Sequence, residues 1–169
     1  MVERIELKRL RAEAIDAALE RARHYRYLNQ PQLAESICRD VLEVRPQDSR
    51  ARMMLIMSLC DQFGTVDTLH VREVLEMAQS LRDPYERAYY SGLVCERRAA
   101  AALRRGGPVA GAIAWEWFHR AMEHYEIAEP LRPAGNDDAI LRWNTCARTL
   151  NTRADVRPRD EPVGMEMLE

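Results

Sequence analysis

Few residues in this chain are able to do acid–base or ligand chemistry. They are four histidines, His24, His70, His119 and His124, and four cysteines, Cys38, Cys60, Cys95 and Cys146. The segment Glu116-Trp117-Phe118-His119 sets a carboxylate and an imidazole three residues apart, the step by which di-iron helical bundles hold metal. Such a centre also needs a second Glu-x-x-His and two more inward glutamates, and the sequence has no second copy. Glu116, His119 and Glu123 therefore read as a polar edge of a helix whose other face carries Trp115, Phe118, Met122 and Tyr125. His24 and His70 read as surface or helix-boundary residues. The cysteines stand more than twenty residues apart, with no CxxC pair and no histidine at zinc-finger spacing. Each lies in an apolar helical pattern, where a thiol behaves as a small buried hydrophobe. Gly106-Gly107 lacks the Lys-Ser/Thr of a phosphate loop, and there is no Gly-x-Ser-x-Gly turn. The expectation is a protein that is not an enzyme and holds no metal or cofactor.

Recognition chemistry is better supplied. Of 25 basic residues only Lys8 is lysine, and 27 acidic residues bring the net charge to -2. The arginines are spread over nearly every segment beside many alanines, which fits codon usage in a GC-rich genome. Arg97-Arg98 and Arg104-Arg105 form a local basic patch without interleaved aromatics on a net-negative chain, so no nucleic-acid partner is expected. No run approaches the eighteen or so apolar residues of a membrane span, and Met1-Val2-Glu3-Arg4-Ile5-Glu6 shows no apolar stretch of a secretory signal. With reduced thiols, this predicts a cytoplasmic address and no membrane partner. A length of 169 residues corresponds to one domain able to build its own core.

The elements that must position these residues are all helical, because apolar residues recur at three and four and almost never at two. The spacing predicts a first helix over 3–28 and a turn at Asn29-Gln30-Pro31. A second helix with Leu33, Ala34, Ile37, Cys38, Val41 and Leu42 on one face runs up to Pro46. Asp48 or Ser49 caps a third over 51–62, and Thr65 or Asp67 a fourth reaching Leu81. Asp83-Pro84 opens a long fifth helix to Arg104; a sixth covers 111–131 and a seventh 137–152. Residues 1–152 then form the domain, and 153–169, ending Met165-Glu166-Met167-Leu168-Glu169, a flexible tail.

An internal repeat is visible. Ala18, Arg21, Ala22 and Tyr25, followed by Ala34, Cys38 and Pro46, stand at the spacing of a 34-residue helical hairpin. Arg52, Leu55, Ile56 and Leu59 repeat the first half. Ser91, Gly92 and Cys95, then Ala121, Tyr125, Ala128 and Pro133, give a third unit with a lengthened middle. On these residues the chain resembles tetratricopeptide-repeat proteins with degenerate repeats. The resemblance implies three stacked antiparallel hairpins plus a closing helix, an α-solenoid, covering about residues 14–152. It also implies a non-catalytic adaptor that binds a peptide or a partner's helix on a concave face lined by the first helix of each hairpin. A non-repeat helical bundle would bury the same apolar faces.

Carried over by spacing, the concave face takes Asp16, Leu19, Arg23, Arg26 and Tyr27 from the first hairpin. Arg50, Met53, Met57 and Asp61 come from the second, and Glu86, Tyr89, Leu93 and Arg97 from the third. The residues expected to bind the partner are Arg23, Arg26, Tyr27, Arg50, Met53, Met57, Tyr89 and Arg97. Some family members grip acidic chaperone tails with a Lys/Asn/Arg clamp. Leu19 and Arg23 stand where that clamp wants Lys and Asn, so none is expected here. The Asp137, Asp138, Arg142 and Asn144 group is read as a helix cap, with a recognition edge beside the groove as the sharper alternative. Two other functional readings stay open: a homo-oligomeric structural module such as a homodimer, and a chaperone like those of type III secretion translocators.

Overall fold

The computed structural model of the chain describes residues 5–65 and 71–159. All regular structure among them is helical: α1 Ile15–Tyr27, α2 Pro31–Val44, α3 Ser49–Cys60, α4 Val71–Gln79, α5 Pro84–Arg105, α6 Ala110–Ala128 and α7 Asp138–Thr152. Short 3-10 turns, Ala12–Ala14 and Glu129–Leu131, precede α1 and extend α6. Consecutive helices pack on one another along the chain, and in addition α1 touches α3 and α3 touches α5. No helix among the described residues is long and apolar enough to cross a membrane.

The stops and starts follow local chemistry. Asn29 takes the left-handed φ of 56° that an asparagine tolerates, and Pro31 then opens α2, where its missing N–H costs nothing. The Asp48 carboxylate accepts from Ala51 N at 3.1 Å, and Asp83 accepts from Glu86 N at 2.9 Å, so both helices begin on a satisfied donor. The capping candidate Asp67 lies outside the described residues, as do His70 and the apolar-acidic end 165–169.

The first helix is shorter than the spacing predicts. Residues 5–11 are not helical, and Ile5 and Leu7 stand 85% and 87% exposed. Continued backward at 3.6 residues per turn, a helix would carry Leu7 and Leu10 off the stripe made by the buried Ile15, Leu19 and Ala22. Leu19, expected on the concave face, is correspondingly part of the core with Ile15, Val41 and Ala51.

Two larger cores lie beyond that patch. One joins α1 to α5 through Ala22, Ala34, Leu55, Ile56, Leu59 and Val94. Ala22 and Ala34 are both fully buried, and small side chains there let α1 and α2 approach closely. The second joins α5, α6 and α7 through Ala99, Ala114, Phe118, Ala121, Tyr125 and Cys146. Gly92 of α5 faces the Tyr125 ring, and a Cβ at that position would sit 2.6 Å from Tyr125 Cε1. Val156 also belongs to this core and is 4% exposed. After α7 the chain is exposed at 153–155 and turns through the hydrogen bond from Val156 N to Arg153 O at 3.1 Å, which sets the single side chain of Val156 into the core.

Candidate functional site

α1, α3, α5 and α7 border a cleft of about 240 Å³ lined by Arg26, Met57, Cys60, Asp61, Tyr89, Tyr90, Leu93, Arg97, Asp138 and Arg142. A second hollow of about 340 Å³ shares Tyr89, Tyr90 and Asp138 and adds Met53, Asp83, Tyr85, Glu86, Pro133 and Asn136. Of the residues expected to bind the partner, Arg26, Met57, Tyr89 and Arg97 thus meet in one cleft and Met53 in the adjoining one. Arg23, Tyr27 and Arg50 line neither. Arg23 pairs with Glu20 on its own helix, Tyr27 is 76% exposed, and Arg50 bridges Asp16 at 2.9 Å and Asp48 at 3.1 Å. Leu93 borders the cleft but is only 3% exposed, which makes it floor rather than contact surface.

Polar side chains hold the walls. The Arg26 guanidinium donates to Asp61 Oδ2 from Nε at 2.8 Å and stands 2.7 Å from it through Nη2, with Nη1 3.5 Å from Met57 Sδ. These contacts tie α1 to the C-terminal end of α3. Behind the opposite wall, Glu96 is a carboxylate only 8% exposed. It accepts from the Tyr125 hydroxyl at 2.6 Å through Oε2 and from Arg142 Nη1 at 3.0 Å through Oε1. Burial works against the Arg142 charge, yet Glu96 and a hydrogen bond with Tyr89 hold its pKa above the usual range. Burial and then the Glu96 charge push the Tyr125 hydroxyl far up, so it stays a donor. Among the described residues no buried side-chain polar atom lacks a partner.

The tyrosines form a continuous cluster in which Tyr125 and Tyr85 are buried and Tyr89 and Tyr90 are partly exposed. Tyr89 stacks on Tyr85 with ring centres 5.7 Å apart, meets Tyr90 edge-on at 5.3 Å and tilts against Tyr125 at 5.9 Å. The Tyr85 hydroxyl donates to Asn136 Oδ1 at 3.2 Å, and that oxygen also accepts from Asp138 N at 2.9 Å, fixing the start of α7 against α5. Burial pushes both Tyr85 and Tyr90 up to about 12, so neutral hydroxyls face the groove at ordinary pH.

Reading by spacing missed Tyr90, Tyr85 and Glu96, and treated Asp83 only as a cap. The cluster Tyr85, Tyr89, Tyr90 was legible as rings at i, i+4 and i+5. The role of Glu96 was not, because its partners Tyr125 and Arg142 lie 29 and 46 residues away. Asp138 and Arg142 do border the groove, whereas Asp137 is taken by Arg132 at 2.9 Å.

The residues singled out for metal or acid–base chemistry do not converge. Among the described residues no three His, Cys, Asp or Glu side chains are placed to hold a metal ion. His119 turns Nδ1 toward Trp115 O at 2.9 Å with its ring centre 3.9 Å from the indole, and burial lowers the His124 pKa. The four thiols are buried and free, and burial raises the pKa of each. A larger hollow, about 1010 Å³, lies between residues 5–10 and Asp40 and Glu43 of α2, but it gathers charges of both signs without a shared focus.

No family model, curated protein or solved structure matches this chain. The groove must therefore be read from its own chemistry.

Proposed function

We propose that this chain is a non-catalytic, tetratricopeptide-like adaptor of the cytoplasm, which binds a peptide or a partner's helix in the groove bordered by α1, α3, α5 and α7. The observation that carries the reading is the meeting of Arg26, Met57, Asp61, Tyr89 and Arg97 in one cleft. They come from α1, from α3 and the residue that follows it, and from α5, and the pairs Arg26–Asp61 and Arg26–Met57 are separated by 35 and 31 residues, close to one repeat length. The packing of α1 on α3 and of α3 on α5 supports the same reading, since stacked hairpins bring their first helices side by side in that way. Methionine and tyrosine suit such a surface: Met53 and Met57 adapt to different apolar side chains, and the tyrosines offer rigid contact area at little entropic cost.

Photo-crosslinking from inside and outside the groove tests it. A photoreactive side chain at Met53 is expected to trap a discrete partner from extract of the source cells, and the same side chain at the exposed Glu123 of α6 is expected to trap none. Equal yields from both positions, or no product from Met53, would reject the groove as the binding face.

A further inference from the structure

Three arginines line the smaller cleft, and two of them are satisfied within the fold. Arg26 meets Asp61 at 2.7 Å, and Arg142 meets Glu96 at 3.0 Å. Arg97, half-buried on α5 between them, has no hydrogen-bond or ion-pair partner among the described residues. Its nitrogens still reach solvent and, with five donors and a full charge, are open to an acceptor from outside the fold. The arrangement fits a carboxylate arriving from outside, which such a planar fork binds in bidentate fashion.

The adjoining hollow has the opposite sign. Asp83, Glu86 and Asp138 line it together with Tyr85, Tyr89 and Tyr90, and it contains no arginine or lysine. Asp83 is partly used, because its Oδ1 caps α5, but no cation pairs with Glu86 or Asp138 among the described residues. Burial and the nearby Asp83 push the Glu86 carboxyl up, the signature of a desolvated acid short of a counter-charge. Tyrosine faces attract cations as well, so acids and rings act together on a guanidinium or ammonium group.

We propose that the groove reads a peptide of mixed charge, whose acidic side chain docks on Arg97 and whose basic side chain enters the tyrosine-lined hollow at Glu86. This rests on the peptide-groove reading above and adds the chemistry of the peptide. Glu86 and Arg97 lie eleven residues apart on α5, ~16 Å along the helix axis. An extended peptide covers that distance in about five residues. A uniformly acidic segment meets repulsion at Glu86, and a uniformly basic one meets it at Arg97, so each hollow rejects what the other accepts.

The test is selection of a random linear peptide library on the immobilised full chain, followed by fluorescence polarisation with an enriched peptide. Selected peptides are expected to carry one acidic and one basic residue about five positions apart. Arg97→Glu is expected to weaken the chosen peptide about tenfold or more and to recover binding when the peptide's acid is replaced by arginine. Glu86→Arg is expected to do the converse. If Arg97→Glu lowers helicity or the melting temperature, Arg97→Gln serves in its place with loss of binding but no charge-swap recovery. Peptides without this charge pattern, or undiminished binding to the Arg97 variants, would overturn the proposal while leaving a peptide groove intact. Failure to enrich any peptide would remove the groove reading itself, and this inference with it.

Discussion

At the scale of single residues, Glu96 shows how a buried charge is tolerated. Each of its oxygens receives a hydrogen bond, one from a neutral hydroxyl and one from a guanidinium, so the cost of desolvating it is offset by two charge-assisted contacts from different helices. Glu96→Ala would strip both donors of their acceptor. It is expected to destabilise the fold by about 2 kcal/mol, with Glu96→Gln costing less because an amide oxygen still accepts from Tyr125. Urea titration followed by helical signal measures both; equal stability of wild type and Glu96→Ala would mean that the network adds nothing. This position illustrates what spacing cannot reveal. Glu96 follows Cys95 on a helix rich in charge, and nothing local distinguishes it from the solvated Glu116 or Glu123. Arg26, which spacing picked out one position beyond Tyr25, does line the cleft, although its pairing with Asp61 was not legible.

At the scale of elements, boundaries set by local punctuation were readable and those set by packing were not. Asp48, Asp83-Pro84 and Asn29-Gln30-Pro31 act through their own side chains and backbone, so the beginnings of α2, α3 and α5 were visible in the sequence. The beginning of α1 was not, because it depends on whether the far side of the helix finds anything to pack against. The segment after α7 carries the same lesson. Val156 is a lone apolar residue among charges in sequence, yet it fills the α5–α6–α7 core, and the Asp155 carbonyl oxygen occupies the space that a side chain on Gly111 would need. Val156→Ala is expected to cost about 1–2 kcal/mol through the lost methyl groups and the cavity they leave. Gly111→Ala is expected to lower the melting temperature at least as much by driving the strap off the start of α6. Both are read by thermal unfolding, and unchanged melting of the pair would show that this strap does not contribute to stability.

At the scale of the whole molecule, buried thiols and hydroxyls make the fold sensitive to alkali. Burial raises Cys38, Cys95 and Cys146 from 9.0 to about 12. A group whose native pKa is raised stabilises the fold fully below its unfolded value and loses that contribution as pH climbs through the native one. Stability is therefore expected to hold up to about pH 9 and to fall steadily from there to about pH 12, with Tyr85 and Tyr90 adding to the loss above pH 10. Melting temperatures across that window check it, and a flat profile would contradict the burial of these groups. The sequence by itself determined the helical class, the positions of most turns and the inward face of most helices, because these depend on periodicity, prolines and capping side chains acting within a few residues. Spacing picked out Arg26, Met57, Tyr89 and Arg97, which the fold brings to one cleft, and Met53 beside it, but also Arg23, Tyr27 and Arg50, which line neither hollow. Only the tertiary structure decided that, of the three arginines lining the smaller cleft, Arg26 and Arg142 are spent on partners within the fold while Arg97 has none among the described residues. Pairings such as Arg26 with Asp61 and Arg142 with Glu96 span 35 and 46 residues, and whether they form depends on how several helices lean together.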